Sequence, residues 1–60
     1  MDWLVELRGN RSQASVAKDA GVTQQYYSLV ESGKRSPSVP TAKKIAAVLG
    51  FDWTRFFEGA

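Results

Sequence analysis

A glycine joins two short helical patterns between residues 13 and 32, and no other feature constrains the fold as tightly. On a helix, a tight turn and a second helix, the small and apolar positions converge on one inner face. Gly21 falls where the chain must reverse direction, and a residue without a Cβ adopts a positive φ there at little cost. The sequence therefore predicts a turn near residues 21–23 and a second helix over about residues 23–32. The inward positions are Val16, Ala17, Ala20, Val22, Tyr27 and Val30.

The second helix leaves a mainly polar face outside this contact, and that face has the chemistry of DNA recognition. It presents Gln24, Gln25, Ser28 and Leu29. Glutamine can form two hydrogen bonds with the N6/N7 edge of adenine, and an apolar tip suits the methyl group of thymine. The pattern predicts a helix-turn-helix whose second helix reads base pairs in double-stranded DNA.

Each side chain near this face also has a simpler interpretation. Gln24 and Gln25 are ordinary exposed helix formers, and Ser28 could serve only to let the helix approach the groove. Leu29 fits a core position, although its neighbours already supply the inward stripe. Tyr26 fits either the sugar-phosphate wall or a cover over the preceding helix, and the sequence leaves both open.

Size and composition restrict the other possibilities. The 60 residues predict a single domain over residues 1–60, and a chain of this size buries only about 60% of its unfolded surface. No residue is Cys or His, which excludes disulfides, zinc fingers, cysteine nucleophiles and imidazole catalysis. We accordingly expect no metal, no cofactor and no small-molecule ligand. The acidic start and the lack of ~20 consecutive apolar residues predict a soluble, cytoplasmic protein without signal peptide or membrane span.

The net charge of +2 is small, but it is unevenly distributed. Residues 1–31 have a balance of −1, residues 32–51 a balance of +4 without any acid, and residues 52–60 a balance of −1. The positive block begins where the proposed reading helix ends, and phosphates would flank the groove at that point. Lys34 and Arg35 are the leading phosphate candidates, whereas Lys43 and Lys44 fit a solvated face equally well.

Local signals divide the chain into an all-α, compact bundle of five short helices. Each helix follows a residue that can cap its N-terminus, and glycines mark the ends of the first four. The predicted caps are Asp2, Ser12, Thr23, Ser38 and Asp52. The predicted stops are Gly9, after a first helix to about Arg8, and then Gly21, Gly33 and Gly50.

The same segments carry a family resemblance. They are Thr23-Gln24-Gln25 at the start of the second of the two helices, Val30-Glu31-Ser32-Gly33-Lys34-Arg35 at its end, and Pro37-Ser38. Along nearly its whole length the chain resembles the Cro and cI-type (XRE-like) helix-turn-helix regulators of phages and bacteria. The resemblance implies a lambda-repressor-like fold and sequence-specific binding to an operator in the nucleoid. Leu29 stands where relatives often have a long polar residue, which favours contact with a thymine methyl group.

Further site residues follow from the resemblance. Relatives use a glutamine at the start of the helix before the turn to contact a phosphate and to brace the first reading residue, which implies this role for Gln13. Helix N-termini offer free amides to phosphate, so Ser12 and Thr23 join the phosphate candidates. Arg11, beside the same helix, is a weaker one. Other family members pair an arginine late in their first helix with the glutamate near the end of the reading helix. This implies a structural pair between Arg8 and Glu31.

The C-terminal segment contains more large aromatic residues than one short turn normally hides. Trp53 and Phe56 are expected to face the core together with Phe51, which leaves Phe57 as the centre of a candidate dimer patch that also includes Phe56 and Trp53. The family usually binds as a two-fold dimer on half-sites about one helical turn apart. We therefore expect a homodimer, formed in solution or only on DNA. The alternative is a monomer with one exposed Phe.

Three classes of function compete. The first is a small Cro-like repressor that binds a palindromic operator and occludes a promoter, since a single domain leaves no second unit to bind an effector. An antitoxin or restriction-modification controller has the same fold and differs in its partner. The second class is a protein-interaction module that does not bind DNA, which the two glutamines and the basic block disfavour. The third, an enzyme, lacks paired carboxylates, a nucleophile with a base and a metal set, so a non-enzyme is expected.

Overall fold

Five helical segments follow one another in the computed structural model, which describes residues 1–58. The described residues form no strand, so the predicted all-α bundle is confirmed. The fifth segment differs in kind from the others, because it is a short 3₁₀ helix rather than an α-helix. Within the same residues, no helix is long and apolar enough to cross a membrane. The elements are α1 (Asp2–Arg8), α2 (Gln13–Ala20), α3 (Gln24–Glu31), α4 (Val39–Leu49) and the 3₁₀ helix (Trp53–Phe57).

Side-chain caps explain why four of these helices begin where they do. In each, a side-chain oxygen accepts a hydrogen bond from a backbone amide of the first turn. The prediction for Asp2 is wrong, because Met1 is the N-cap of α1. The Met1 carbonyl already accepts from the amides of Leu4 and Val5, at 3.1 and 3.2 Å, so Asp2 lies inside the helix. The confirmed caps are Ser12, Thr23, Ser38 and Asp52, at 3.0, 3.1, 3.4 and 3.0 Å from their amides.

The inner faces of the helices meet in one apolar cluster. Of the six inward positions predicted around the turn, five are buried and Val22 is half-buried against them. Helix α2 packs against α3 and α4, and α1 packs against α3. One face of α3 is therefore buried while the opposite face remains in solvent. The members of the cluster are Leu4, Val16, Ala17, Ala20, Tyr27, Val30 and Ile45.

The turn between α2 and α3 has the geometry that the glycine predicts. Gly21 adopts a left-handed conformation with φ of 73°, and its amide donates to the Lys18 carbonyl at 3.1 Å. The Val22 amide donates to the Ala17 carbonyl at 2.9 Å. These bonds occupy the last carbonyls of α2 and redirect the chain within two residues. Helix α3 therefore starts at a fixed angle to α2.

The aromatic residues near the C-terminus fall into two groups rather than one. Phe56 packs with Phe51 and with Trp3 of α1, at ring-centroid distances of 5.5 and 5.4 Å. Trp53 instead contacts Phe57, at 6.0 Å. The expectation that Trp53 and Phe56 share one inward face is therefore wrong. Phe56 and Phe51 pack on the apolar cluster, and Phe57 is 44% exposed.

Candidate nucleic-acid interface

The solvent-facing side of α3 forms one continuous concave surface. Gln24, Gln25, Ser28 and Leu29 line it together with Gln13 from the start of α2. The hollow has a volume of about 500 Å³ and combines amide, hydroxyl and apolar groups. Leu29 is 39% exposed, so it is not a core residue. We call the four α3 residues of this surface the reading face. Such a mixture of donors, acceptors and apolar tips suits the edges of base pairs.

Glu31 is the last residue of α3, and its side chain is buried beside Gln13. Its carboxylate accepts two hydrogen bonds from Arg8, from Nε at 2.9 Å and from Nη2 at 3.0 Å. Burial alone would raise the pKa of Glu31, but the hydrogen bonds from Arg8 and Gln13 outweigh it and hold this pKa below its usual range. The carboxylate is therefore charged and fully engaged inside the protein. The Arg8–Glu31 pair links α1 to α3 in the arrangement that the family resemblance implied.

Gln13 faces both the carboxylate and the hollow. Its Nε2 donates to Glu31 Oε1 at 3.0 Å, which fixes the amide against the end of α3. The family resemblance implies that this side chain contacts a phosphate and braces the first reading residue. In the structure its amide nitrogen is directed to Glu31, while the residue as a whole borders the hollow. Gln13 thus borders the hollow with a side chain that its hydrogen bond to Glu31 holds in place.

Arg11 has a partner that its position in the sequence does not indicate. Its Nη1 donates to the Val48 carbonyl at 3.0 Å, near the C-terminus of α4. The Arg11 carbonyl accepts from Arg8 Nη1 at 2.8 Å. Cationic donors near the last carbonyls of a helix satisfy acceptors that lack a partner within it. This arrangement makes Arg11 a link between the α1–α2 loop and α4, which weakens its standing as a phosphate ligand.

The loop after α3 folds back along the helix and carries two cations. Gly33 has φ of 79°, a left-handed conformation that L side chains rarely adopt. Beyond it, the amides of Lys34 and Arg35 both donate to the Leu29 carbonyl, at 3.0 and 3.2 Å. The Arg35 guanidinium carbon lies 5.3 Å from the centroid of the Tyr26 ring. Both cations are exposed and lie directly after the helix that carries the reading face.

The other two lysines of the basic block lie on α4. Lys43 and Lys44 are exposed, and the Lys43 ammonium is 5.2 Å from the centroid of the Trp53 ring. Lys43 therefore covers one side of an aromatic residue near the C-terminus. This favours the interpretation of a solvated face for Lys43. Among residues 1–58, no partner connects Lys44 to the reading face.

Two contacts of this region were not predicted from the sequence. The Gln13–Glu31 bond joins residues 18 apart and the Arg11–Val48 bond joins residues 37 apart, so neither has a local pattern. The sequence leaves a third feature open, because Tyr26 fits either the sugar-phosphate wall or a cover over α2. Tyr26 packs against the apolar cluster and at the same time lies beneath Arg35. An aromatic residue shortly before a basic loop was the sequence signal that could have indicated this contact with Arg35.

Known proteins match this chain along nearly its full length. The family model described as helix-turn-helix covers residues 4–56. A relative from Bacillus subtilis (strain 168), described as the uncharacterized HTH-type transcriptional regulator YqaF, is 48% identical over 58 residues. That alignment covers 93% of this chain and 76% of the relative. No solved structure gives a significant match. The protein thus belongs to the helix-turn-helix family of transcriptional regulators.

Proposed function

We propose that this DNA-binding regulator is a small repressor that binds a palindromic operator as a homodimer and occludes a promoter. The observation that carries the proposal is the reading face. Its four side chains lie together on one side of α3, and their amide, hydroxyl and apolar groups suit the edges of base pairs. The protein would act in the cytoplasm, on DNA of the nucleoid. The action requires no catalysis, because the face presents amides, a hydroxyl and an apolar tip rather than a nucleophile beside a base.

The division of contacts follows from position along α3. Gln24 and Gln25, in the first turn, are proposed to bind base edges, with adenine as the favoured partner of an amide. Ser28 and Leu29 lie one turn further, where Leu29 would contact a thymine methyl group. Helix N-termini present amides without partners inside the helix. The proposed phosphate contacts are therefore the N-terminal turns at Ser12 and Thr23, and the side chains of Lys34 and Arg35.

Dimerisation is proposed from the size of the molecule. The described residues span 27 Å at most, whereas half-sites on one side of DNA repeat at about 34 Å. A single chain therefore covers one half-site, and two copies are needed for a palindrome. Phe57 is 44% exposed and lies against Trp53, which makes these two rings the proposed self-complementary patch. Phe56 is a lesser part, since it packs inward.

Selection of bound duplexes from a random pool at about 0.15 M salt tests operator binding. We expect an enriched inverted repeat. Gln24→Ala and Gln25→Ala should each relax the preference at one position of the half-site, with a discrimination loss of about 1–3 kcal/mol. If no sequence is enriched and the protein binds DNA only at low salt, sequence-specific base reading is rejected. An enriched single half-site would reject the palindrome and leave base reading intact.

A promoter assay tests repression by occlusion. The selected operator is placed either across the promoter or well upstream of it, and reporter output is compared with and without the protein. A dimer on two half-sites covers about 20 bp, so we expect repression only where operator and promoter overlap. Activation from the upstream position, or equal repression from both, contradicts occlusion.

A further inference from the structure

An aromatic ring next to the reading face lies beneath one of the two proposed phosphate cations. The Arg35 guanidinium carbon is 5.3 Å from the centroid of the Tyr26 ring, within the range of a cation–π contact. Tyr26 is half-buried and packs against the apolar cluster, whereas Arg35 is exposed. The ring is therefore the fixed partner and the long guanidinium side chain is the partner that it restrains.

The backbone at both residues is also held. The Tyr26 amide donates to the Thr23 cap at 3.1 Å, and the Arg35 amide donates to the Leu29 carbonyl at 3.2 Å. Tyr26 and Arg35 are nine residues apart in the chain, and hydrogen bonds hold the backbone at both positions where their side chains meet. On α3, Tyr26 lies on the flank nearer Leu29, away from the flank that faces Gln13. The cation is therefore restrained at one defined edge of the reading face.

The other cations considered for phosphate are arranged differently. Arg11 is directed to α4 by its bond to the Val48 carbonyl. Lys34 is exposed and makes no side-chain hydrogen bond or ring contact among residues 1–58. Arg35 alone of these three is both free of a hydrogen-bond acceptor and restrained in direction, again within the described residues.

We propose that Tyr26 is a positioning residue that sets Arg35 for its phosphate contact, a role that rests on the proposed operator binding. A guanidinium is planar, and its N–H donors lie at its edges, so a ring across its face leaves those donors available to phosphate oxygens. Restraint before binding reduces the rotamer freedom that is lost in the complex. Tyr26 touches no base and no phosphate in this role, and it acts through Arg35.

A double-mutant cycle on the selected operator measures this coupling. The variants are Tyr26→Leu, Tyr26→Phe, Arg35→Ala and Tyr26→Leu with Arg35→Ala, each titrated at several salt concentrations. Arg35→Ala should reduce the slope of log K against log salt by about one. Tyr26→Leu should weaken binding about two- to fivefold when Arg35 is present and have no effect when it is absent. Tyr26→Phe retains the ring and should bind as the wild type does.

Two controls separate positioning from folding and from net charge. Arg55 is likewise exposed over a ring, 4.6 Å from Trp3, and Arg55→Ala should leave the salt slope unchanged. In the free wild-type protein, the Arg35 side-chain protons should show ring-current shifts in NMR spectra that Tyr26→Leu abolishes and Tyr26→Phe retains. This second readout needs no DNA, and thermal unfolding checks that each variant is folded.

The outcomes are distinct. Equal weakening by Tyr26→Leu in both backgrounds, or no weakening in either, overturns the positioning role while operator binding stands. Ordinary Arg35 proton shifts in the free wild type overturn it as well. Failure of the wild type to bind any selected duplex overturns the proposed function, and the positioning role with it. Weakening that occurs only with Arg35 present supports the inference.

Discussion

Glu31 shows at the scale of one residue how a buried charge is made tolerable. Its side chain is 6% exposed and that of its partner Arg8 is 19% exposed. A carboxylate removed from water needs compensating donors, and Arg8 and Gln13 supply three hydrogen bonds. The two members of the ion pair are not equivalent. Loss of Arg8 strands a charge in the interior, whereas loss of Glu31 leaves a guanidinium that can turn toward solvent.

A thermodynamic cycle follows from that asymmetry. We expect Arg8→Ala to lower the free energy of unfolding by about 2–4 kcal/mol and Glu31→Ala to lower it by less. The double variant should be no less stable than Arg8→Ala alone, because it leaves no buried charge without a partner. Urea denaturation of the four proteins measures the cycle. Two effects that simply add would show that Arg8 and Glu31 do not act as a pair.

The same carboxylate predicts how stability depends on pH. Its pKa in the folded protein lies below the usual 4.5, so protons bind the unfolded chain more readily than the folded one in this range. The stabilisation is complete above the unfolded pKa and is lost as pH falls through the folded pKa. Acidification below about pH 4.5 should therefore destabilise the wild type more than Glu31→Gln. Asp52, whose pKa is also lowered, is present in both proteins and cancels in the comparison. Parallel curves of unfolding free energy against pH would contradict this assignment.

Residue roles could be predicted from the sequence where their partners are local. The caps at Ser12 and Thr23 depend on an amide three residues ahead, and such a distance is visible in a linear pattern. The partners of Gln13 and Arg11 come from α3 and from the end of α4. Only the packing of helices brings these groups together, so no local spacing could assign them.

At the scale of elements, α3 and the following loop act as one unit. The Leu29 carbonyl accepts from the amides of Lys34 and Arg35 and from the Ser32 hydroxyl, the last at 3.1 Å. This return of the chain requires the positive φ of Gly33. The loop is therefore an extension of the reading helix that fixes its cations relative to the reading face.

Substitution of Gly33 tests this unit. Apart from the two chain neighbours of Gly33, no atom of residues 1–58 lies within 4 Å of a Cβ at this position, so the backbone conformation determines the effect. Gly33→Ala should destabilise the protein by about 1 kcal/mol, and Gly33→Asn by less, since Asn tolerates the left-handed region better. Chemical denaturation gives both values. Equal stability of the Ala variant and the wild type would mean that the loop does not depend on this turn.

The C-terminal element shows where local spacing was insufficient. Trp53 and Phe56 are three residues apart, a spacing that puts side chains on one face of a helix. Phe56 nevertheless packs with Trp3, from the other end of the chain, and Trp53 lies beside Lys43 of α4. Neighbours from distant parts of the chain, rather than local spacing, determine which of the two rings packs on the core. The all-α class and the choice of residues on the solvent-facing side of α3 needed only helical periodicity, so these two predictions agree with the structure while the prediction for this turn does not.

At the scale of the whole molecule, one chain is only 27 Å long, which is less than the spacing of about 34 Å between half-sites. The number of half-sites in the operator therefore determines how many copies bind. In the proposed homodimer, two copies on neighbouring half-sites contact each other through a surface outside the reading face. The proposed patch of Phe57 and Trp53 satisfies that condition, because it lies on the 3₁₀ helix beyond α4. Cooperative binding to two half-sites should therefore depend on Phe57, while binding to one half-site should not.

Phe57→Ser is the corresponding variant, with Leu7→Ser as its control. Leu7 is an exposed apolar residue of α1 at 37% exposure, compared with 44% for Phe57, and it belongs to neither surface. On a duplex with both half-sites we expect Phe57→Ser to lose cooperativity and Leu7→Ser to keep it, as measured by gel shift. On a single half-site all three proteins should bind alike.

An insertion of about 5 bp puts the half-sites on opposite sides of the DNA and should reduce the wild type to the behaviour of Phe57→Ser. Cooperativity that survives in Phe57→Ser would place the contact between copies elsewhere on the molecule, whereas weaker half-site binding by this variant would show that the 3₁₀ helix supports the reading face itself.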